Sequence, residues 1–132
     1  MRILYCLTKE ERRMGAKEIS EKMVVPLRFA LKILGKLAGA GLVNSFKGNK
    51  GGYELGRSAD KITLLDVISA VEGPCVLSRC LCDAENGGCN RGASGCCVFQ
   101  SEFDRIGQMV NRELAKVSFA DMLEQERKND QK

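Results

Sequence analysis

The segment AKEISEKMVVPLRFALKILGKLAGAGLVNSFKGNKGGYELG, residues 16–56, sets the architecture of this 132-residue chain. Its first part, Ala16–Met23, places Ile19 and Met23 four residues apart, on one face of a short helix. Pro26 then begins a second helix, because a first helical turn tolerates proline, whose missing N–H has no partner there. Two short helices joined by a tight turn predict a helix-turn-helix.

The second helix, which we expect to run to about Ala38, has two different stripes. Apolar residues separated by four, three and four predict a stripe that faces the core: Leu27, Leu31, Leu34 and Ala38. Cations separated by four lie on another face, which the pattern assigns to solvent: Arg28, Lys32 and Lys36. Gly39 and Gly41 then end the helix, as glycine commonly does at helix C-termini.

A β-hairpin is predicted directly after this helix. Leu42 to Phe46 forms one strand and Gly52 to Leu55 its antiparallel partner. The connecting residues 47–51, Lys-Gly-Asn-Lys-Gly, contain the glycine and asparagine that positive φ angles require. An ordinary surface hairpin is one interpretation. The other is a wing, whose two lysines at the tip suit contact with phosphate or with the minor groove.

The distribution of charge is typical of a nucleic-acid binder. The formal net charge is +4, but residues 1–60 hold twelve Lys or Arg against six Asp or Glu, whereas residues 61–132 hold nine against eleven. Between residues 22 and 57 the only acid is Glu54. A solvated surface would explain such a block, and so would an electrostatic footprint for nucleic acid. The chain has no histidine, which excludes Ser-His and Cys-His catalytic pairs, so no enzyme is predicted.

Two more helices are predicted in the C-terminal half. The first covers Ile62 to Val71, with Thr63 as its cap. The second runs from about Cys97 to Val117, is ~30 Å long at 1.5 Å per residue, and carries an apolar stripe: Phe99, Phe103, Ile106, Val110, Leu114 and Val117. The small module before it cannot cover this stripe, so we favour a partner subunit over packing within one chain. Residues 124–132 are polar and are expected to fray.

Six of the seven cysteines lie in one glycine-rich segment: Cys75, Cys80, Cys82, Cys89, Cys96 and Cys97. This segment has too little hydrocarbon for a core, so the thiols would order it by binding a metal or cluster, by redox switching, or as structural disulfides. No apolar run approaches the ~20 residues that span a bilayer, and the start of the chain lacks the features of a secretory signal. We therefore expect a cytoplasmic protein with no membrane contact.

Thiols stay reduced in the cytoplasm, which favours a metal or a cluster over disulfides. Structural zinc sites usually pair cysteines two to four apart, and the spacings from Cys82 to Cys89 to Cys97 are longer. A first helix is predicted from Met1 to Lys9, where Ile3, Leu4 and Leu7 recur at helical spacing. The seventh cysteine, Cys6, stands alone on this helix and is interpreted as a small buried apolar residue.

With these elements in order, the chain resembles the IscR/NsrR/CymR-type winged-helix transcription factors, the Rrf-two family. The segments that carry the resemblance are KEIS at residues 17–20, the stretch 34–37 leading into GLV at 41–43, KGNKGGY at 47–53, and ITLLDVI at 62–68 running to AVEG at 70–73. The cysteine segment and the long C-terminal helix stand in the family's order. The resemblance covers roughly residues 1–123.

The resemblance implies a homodimeric bacterial regulator, a repressor, that is mainly α with a small β-hairpin. It divides the chain into a winged helix-turn-helix DNA-binding domain (1–73), a cysteine-rich sensor loop (74–97), a dimerisation helix region (98–123) and a polar tail (124–132). The second helix of the motif would enter the major groove of a double-stranded operator, with Arg28 or Lys32 at guanine edges. The family's DNA contact surface corresponds to Pro26, Arg28, Phe29, Lys32, Lys36, Lys47, Gly48 and Lys50.

In several members of the family three loop cysteines hold an iron–sulfur cluster, and other members have none. The corresponding ligands here are Cys82, Cys89 and Cys97, with Cys96, Cys80 and Cys75 as alternates. Thiolates are the ligands that such clusters need. The position of a histidine ligand in some members holds Gln100. A 2Fe–2S cluster is preferred to a 4Fe–4S cluster, and the isolated protein could also contain none.

The leading hypothesis is a cytoplasmic dimeric repressor that senses redox, nitric oxide or iron–sulfur status. Loss or oxidation of its cluster would shift the DNA-reading helices between two states. One alternative is a cluster-free thiol switch or partner-controlled repressor of the same fold. Another is a small metal-binding or electron-carrier protein whose basic face docks an acidic partner, against which the helix-turn-helix and the wing argue.

Overall fold

A computed structural model describes residues 1–73, 77 and 98–131 of the chain. Within these ranges the chain forms six α-helices, a short 3-10 helix and a two-stranded hairpin, which confirms a mainly helical fold with a small β-hairpin. In chain order the elements are α1 (Arg2–Glu10), α2 (Ala16–Met23), α3 (Leu27–Gly39), β1 (Val43–Phe46), β2 (Gly52–Leu55), the 3-10 helix (Ala59–Lys61), α4 (Leu64–Glu72), α5 (Val98–Lys116) and α6 (Phe119–Asp130).

The core lies where α1, α2, α3 and the hairpin meet. Leu4 and Leu7 of α1, Ile19 of α2 and Leu37 of α3 have almost no exposed surface. Residues three or four apart on a helix share a face, so each helix buries one apolar stripe against the others. Helices α2 and α3 pack against each other, and α1 and α3 contact the hairpin.

Cys6 is part of this core. Its side chain is buried, and its Sγ lies 3.9 Å from the Sδ of Met14. Burial raises the pKa of the thiol, so the uncharged form is favoured. The interpretation of Cys6 as a small buried apolar residue is therefore confirmed.

Helix α3 buries a different stripe from the predicted one. Its buried residues are Ala30, Ile33, Leu34 and Leu37. Leu27 and Leu31, which we predicted in the core, are 44% and 45% exposed. Both sets repeat at helical spacing, because α3 has leucine on more than one side, and the core takes the set that is rotated by about 80° around the axis. Part of the predicted core stripe therefore faces solvent.

Helices α4 and α6 begin side by side with the same local structure. Thr63 caps α4, as predicted: its Oγ accepts from the Asp66 N–H at 3.1 Å, and the Asp66 carboxylate accepts from the Thr63 N–H at 3.0 Å. Ser118 and Asp121 repeat this capping box at the start of α6, with distances of 3.1 and 2.9 Å. Such boxes satisfy two N–H groups that a helix start leaves without partners.

The prediction that residues 124–132 fray is wrong, because α6 continues to Asp130. The physical reason is that α6 packs back onto α1. Phe119 is buried at its start, and Glu126 forms an ion pair with Lys9 at 3.4 Å. A hydrogen bond to Glu126, with burial, also raises the pKa of Tyr5 to about 12. These contacts with α1 stabilise α6 as a helix although its sequence is polar.

Helix α5 packs against α4 and leaves most of its surface exposed. Gly107 is buried, whereas four residues of the predicted stripe are 39–70% exposed: Phe99, Phe103, Ile106 and Val110. We call these four residues the α5 stripe. An open groove of about 600 Å³ lies farther along α5, where Ile106 and Val110 line it together with Met109, Leu114 and Val117. Over the described ranges, no helix is both long enough and apolar enough to cross a membrane.

Candidate nucleic-acid interface

The exposed side of α3 is a single face opposite the buried stripe. Its centre consists of residues at positions i, i+3, i+4 and i+7, which lie on one side of a helix: Arg28, Leu31, Lys32 and Gly35. We call this set the α3 outer face. Leu27, Phe29 and Lys36 are exposed on its flanks. Within the described part of the chain, neither Arg28 nor Lys32 forms an ion pair. The face therefore presents two uncompensated positive charges to solvent.

The wing follows α3 and has the predicted hairpin geometry. Strands β1 and β2 pair antiparallel with Phe46 opposite Gly52. Gly48 has φ +91°, and the Gly51 N–H donates to its carbonyl at 2.9 Å, which closes the turn. A Cβ on Gly51 would lie 2.5 Å from the Phe46 carbonyl oxygen, so glycine is required there. This tight turn holds the exposed Lys47 and Lys50 at the tip.

The segment between α1 and α2 holds the wing near its turn. Met14 and Tyr53 exchange two backbone hydrogen bonds of 2.9 and 2.7 Å. The guanidinium of Arg13 lies 3.4 Å from the ring centroid of Phe46 and donates to the Lys50 carbonyl at 3.1 Å. A cation stacked on a ring adds attraction to the burial of that ring. The wing is thus fixed to the helical core rather than held by its own two strands.

Charge pairing separates the basic residues into two groups. On α1, α2 and the segment between them, Arg12 pairs with Glu18, and Lys22 pairs with Glu10 at 2.8 Å. The hydrogen bonds from these cations lower the pKa of both glutamates. In the described residues the cations of α3 and the wing tip have no acidic partner: Arg28, Lys32, Lys36, Lys47 and Lys50. An anionic ligand would supply the missing counter-charge.

The predicted contact residues are all at the surface. Pro26 is the N-cap of α3, Phe29 is 51% exposed, and Gly48 occupies the wing turn. Lys36 differs from the others, because its Nζ donates to the Val71 carbonyl at 2.9 Å. Val71 lies in the last turn of α4, where a cation is favoured by the negative end of the helix dipole. Lys36 therefore joins α3 to the end of α4.

The turn between α2 and α3 contains a strained residue. Val24 has φ +54° and is 85% exposed. A β-branched residue is an outlier in this left-handed region, which favours glycine or asparagine. The Val25 N–H donates to the Ser20 carbonyl at 3.0 Å, and the Ser20 hydroxyl donates to the Val25 carbonyl at 2.7 Å. These bonds impose the conformation that sets the angle of α3.

Sequence reasoning missed three features of this surface. Leu31 was assigned to the core, Arg13 was not connected with the wing, and Lys36 was expected only at DNA. A comparison of the two possible apolar stripes of α3 could have shown that Leu31 is exposed if the other stripe is the buried one. Nothing in the local sequence indicates the contacts of Arg13 or Lys36, since both join residues more than thirty positions apart.

The predicted cluster ligands lie outside the described residues. This applies to Cys82, Cys89 and Cys97 and to the alternates Cys96, Cys80 and Cys75. In the ranges that the structure covers, no group of three or more His, Cys, Asp or Glu side chains is placed to hold a metal ion. The cluster therefore stays a prediction.

Comparison with known proteins identifies the family. The model of the Rrf2 family, described as iron-dependent transcriptional regulator, matches residues 1–125. A candidate HTH-type transcriptional regulator of Neisseria meningitidis is 30% identical over 112 residues, which are 85% of this chain and 72% of that protein. The regulator IscR of Xenorhabdus nematophila is 27% identical over 122 residues, 89% of this chain and 68% of its own.

Solved structures agree with this assignment. CymR, described as the global cysteine regulator of B. subtilis, is 28% identical with a TM-score of 0.68, over 92% of this chain and 87% of its own. IscR of T. potens has a TM-score of 0.70 over 94% of this chain and 80% of its own, and at 23% identity it shows the fold alone. The winged helix-turn-helix is confirmed, and the chain is a regulator rather than an enzyme. It belongs to the Rrf2 family of transcriptional regulators.

Proposed function

We propose that this chain is a homodimeric repressor that places α3 in the major groove of a double-stranded operator. The observation that carries the proposal is the set of unpaired cations on α3 and the wing tip. DNA phosphates would neutralise them and release bound counterions. We assign Arg28 and Lys32 to base edges, and Lys47 and Lys50, with Gly48 between them, to the backbone or the minor groove.

Pro26, Phe29 and Lys36 complete the proposed contact surface. Pro26 and Phe29 lie at the N-terminal end of α3, where a recognition helix meets the groove first. Lys36 donates a hydrogen bond to the end of α4, and we propose that it also contacts a DNA phosphate. It would thus couple the position of α4 to DNA binding. The repressor would act in the bacterial cytoplasm, where the chromosome lies.

The α5 stripe supports the homodimer. Phe99, Phe103, Ile106 and Val110 form an exposed apolar stripe along about three turns of α5. A second copy would bury this surface by the same residues in a two-fold arrangement. Two α3 helices would then meet two half-sites of the operator. The division at residues 1–73, 74–97, 98–123 and 124–132 is part of this proposal.

Selection of bound duplexes from a random pool, followed by titration at several salt concentrations, tests DNA binding. The double variant Arg28→Ala, Lys32→Ala should lose about 100-fold in affinity for the selected operator and should discriminate poorly between that operator and random duplexes. The control, Lys61→Ala with Arg127→Ala, removes the same charge from exposed positions outside α3 and the wing. If the first variant binds as the wild type does, the proposal is wrong.

We also propose that Cys82, Cys89 and Cys97 hold an iron–sulfur cluster, of the 2Fe–2S type in preference to 4Fe–4S. The support is the chemistry of the donor set, because thiolates are the usual ligands of these clusters, and the iron-dependent description of the family. A bound cluster would supply a redox-active group. The cysteine segment joins the end of α4 to α5, and Lys36 connects that end of α4 to the DNA-reading helix.

Anaerobic purification with iron and sulfide analysis tests the cluster. We expect a coloured protein with visible absorption, which Cys89→Ser abolishes. The control is Cys6→Ser, which changes a buried thiol of the core and should retain the colour. A colourless, iron-free wild type after anaerobic reconstitution would overturn the cluster assignment.

A cluster-free thiol switch is the second candidate. It is favoured by the structural relatives named CymR, one of which, from Staphylococcus aureus, is described as an oxidised form. In this case peroxide should produce a reversible disulfide between loop cysteines in a metal-free protein. Peptide mass spectrometry before and after reduction would detect it, and the absence of any loop disulfide would exclude the switch.

A further inference from the structure

Leu31 occupies an unexpected place on the α3 outer face. It is 45% exposed and lies between Arg28 and Gly35, with Lys32 beside it. Single exposed leucines are common on protein surfaces. This one, however, lies in the middle of the face that we propose enters the major groove, so that DNA binding would bury it. In the bound state Leu31 would then contact base edges rather than other protein side chains.

The neighbouring positions leave room for close approach. Gly35 follows Leu31 by one helical turn on the same side, and a Cβ built on Gly35 would have no atom within 4 Å. The helix therefore has a smooth surface directly beyond Leu31. With no side chain at Gly35 to hold the helix away, Leu31 is the group that would reach the groove floor, next to the guanidinium of Arg28.

The base edges offer one apolar group in the major groove, the 5-methyl of thymine. Cytosine, guanine and adenine present polar atoms that a leucine cannot satisfy. We propose that Leu31 contacts the methyl group of a thymine in each operator half-site. Leu31 lies ~4.5 Å along the helix axis from Arg28, so this thymine should lie about one or two base pairs from the base that Arg28 contacts. The inference rests on the proposed operator binding.

Replacement of thymine by deoxyuridine tests the contact, because it removes the methyl group and leaves base pairing intact. The operator is first selected from random duplexes with the full-length wild-type chain. Each thymine near the centre of a half-site is then replaced in turn, and binding is measured by fluorescence anisotropy. One replacement should weaken wild-type binding by about fourfold per half-site, the effect of one buried carbon group.

The Leu31→Ala variant should be insensitive to that same replacement. Leu31→Gln serves as a second variant, since glutamine also favours helix, and thermal melts confirm that both fold. Leu27→Ala is the matched control: the residue is a similarly exposed leucine on the flank of the same helix. This control should respond to deoxyuridine as the wild type does.

The outcomes separate the inference from the function on which it rests. If no duplex is selected and binding is independent of salt, operator binding itself fails, and the thymine contact with it. If an operator is bound but no single replacement weakens the wild type, only the thymine contact is overturned. The thymine contact is also overturned if the wild type and both Leu31 variants lose affinity equally on replacement.

Discussion

Helices α3 and α5 both expose apolar side chains, but the two surfaces have different surroundings. On α3 the exposed Leu31 is flanked by Arg28 and Lys32, which have no acidic partner in the described residues. On α5 all four residues of the stripe are apolar. Two ion pairs lie on the same helix, Arg105 with Glu102 at 2.9 Å and Lys116 with Glu113 at 2.8 Å.

This contrast indicates two kinds of partner. Unpaired cations beside a few exposed apolar residues match a polyanion with a few methyl groups, which describes the DNA major groove. A continuous apolar stripe with internally neutralised charge matches another protein surface. Exposure of hydrophobic residues alone would not distinguish the two helices. The state of the neighbouring charges does.

The largest expected effect tests which side of α3 is buried. Leu34→Ala should lower the free energy of unfolding by about 2–5 kcal/mol, because it leaves a cavity in the core. Leu27→Ala, a leucine on the same helix that is 44% exposed, should change it by about 0.5 kcal/mol or less. Urea denaturation measures both. Equal effects would show that the assignment of buried and exposed faces is wrong.

The second test removes the apolar character of the α5 stripe. Ile106→Asp should convert the dimer to a monomer, because a carboxylate would be buried at the interface without a partner. Operator affinity should fall by about 100-fold, since two half-sites are no longer bound together. Ala115→Asp places the same group on an exposed position of another side of α5 and should remain dimeric. Analytical ultracentrifugation measures the oligomeric state. If Ile106→Asp sediments as the wild type does, the α5 stripe is not the dimer interface.

The third test concerns the turn that orients α3. Val24→Gly should raise the free energy of unfolding by about 0.5–1 kcal/mol, because it removes strain at φ +54° that outweighs the flexibility of glycine. Val25→Gly, one position later and with an ordinary φ, should destabilise instead. Denaturant titration of both variants gives the sign of the change in the free energy of unfolding. Destabilisation by Val24→Gly would mean that the valine contributes contacts that outweigh the strain.

The smallest effect concerns the paired charges of α5. The hydrogen bond from Lys116 lowers the pKa of Glu113 below its usual 4.5. The pair thus contributes to stability above the usual pKa, and the contribution disappears as the pH falls through the lowered value. In Lys116→Met the pKa of Glu113 should return toward its usual value, as a carboxyl NMR titration would show. If the titration midpoint of Glu113 is the same in Lys116→Met as in the wild type, the ion pair between Lys116 and Glu113 does not form in solution.

Local signals predicted the secondary structure well. The bounds of α2 follow from Ile19, Met23 and the proline after them, the Thr63 cap follows from its position before an apolar run, and the wing follows from its glycines. These features depend on residues a few positions apart, so a single sequence contains them. The candidate contact residues of α3 and the wing were predicted from the family resemblance instead, and all of them are at the surface.

Where the prediction failed, contacts between distant segments were responsible. The composition of residues 124–130 indicates a loose tail, yet Glu126 meets α1 and Phe119 enters the core. The partner of Lys36 is a backbone carbonyl thirty-five residues away. No local pattern specifies such pairs, because they form only after the elements have packed.

The amino-acid sequence alone specified the helix-turn-helix, the basic wing and the Thr63 cap of α4. Each of these rests on backbone preferences and on spacings within one or two turns, and the motifs together indicated the family. Packing alone chose which leucines of α3 are buried, since two stripes of similar hydrophobicity fit the helical repeat equally well. Only the positions of α1, α2 and the hairpin around α3 select between them, and that selection leaves Leu31 beside the cations on the outer face.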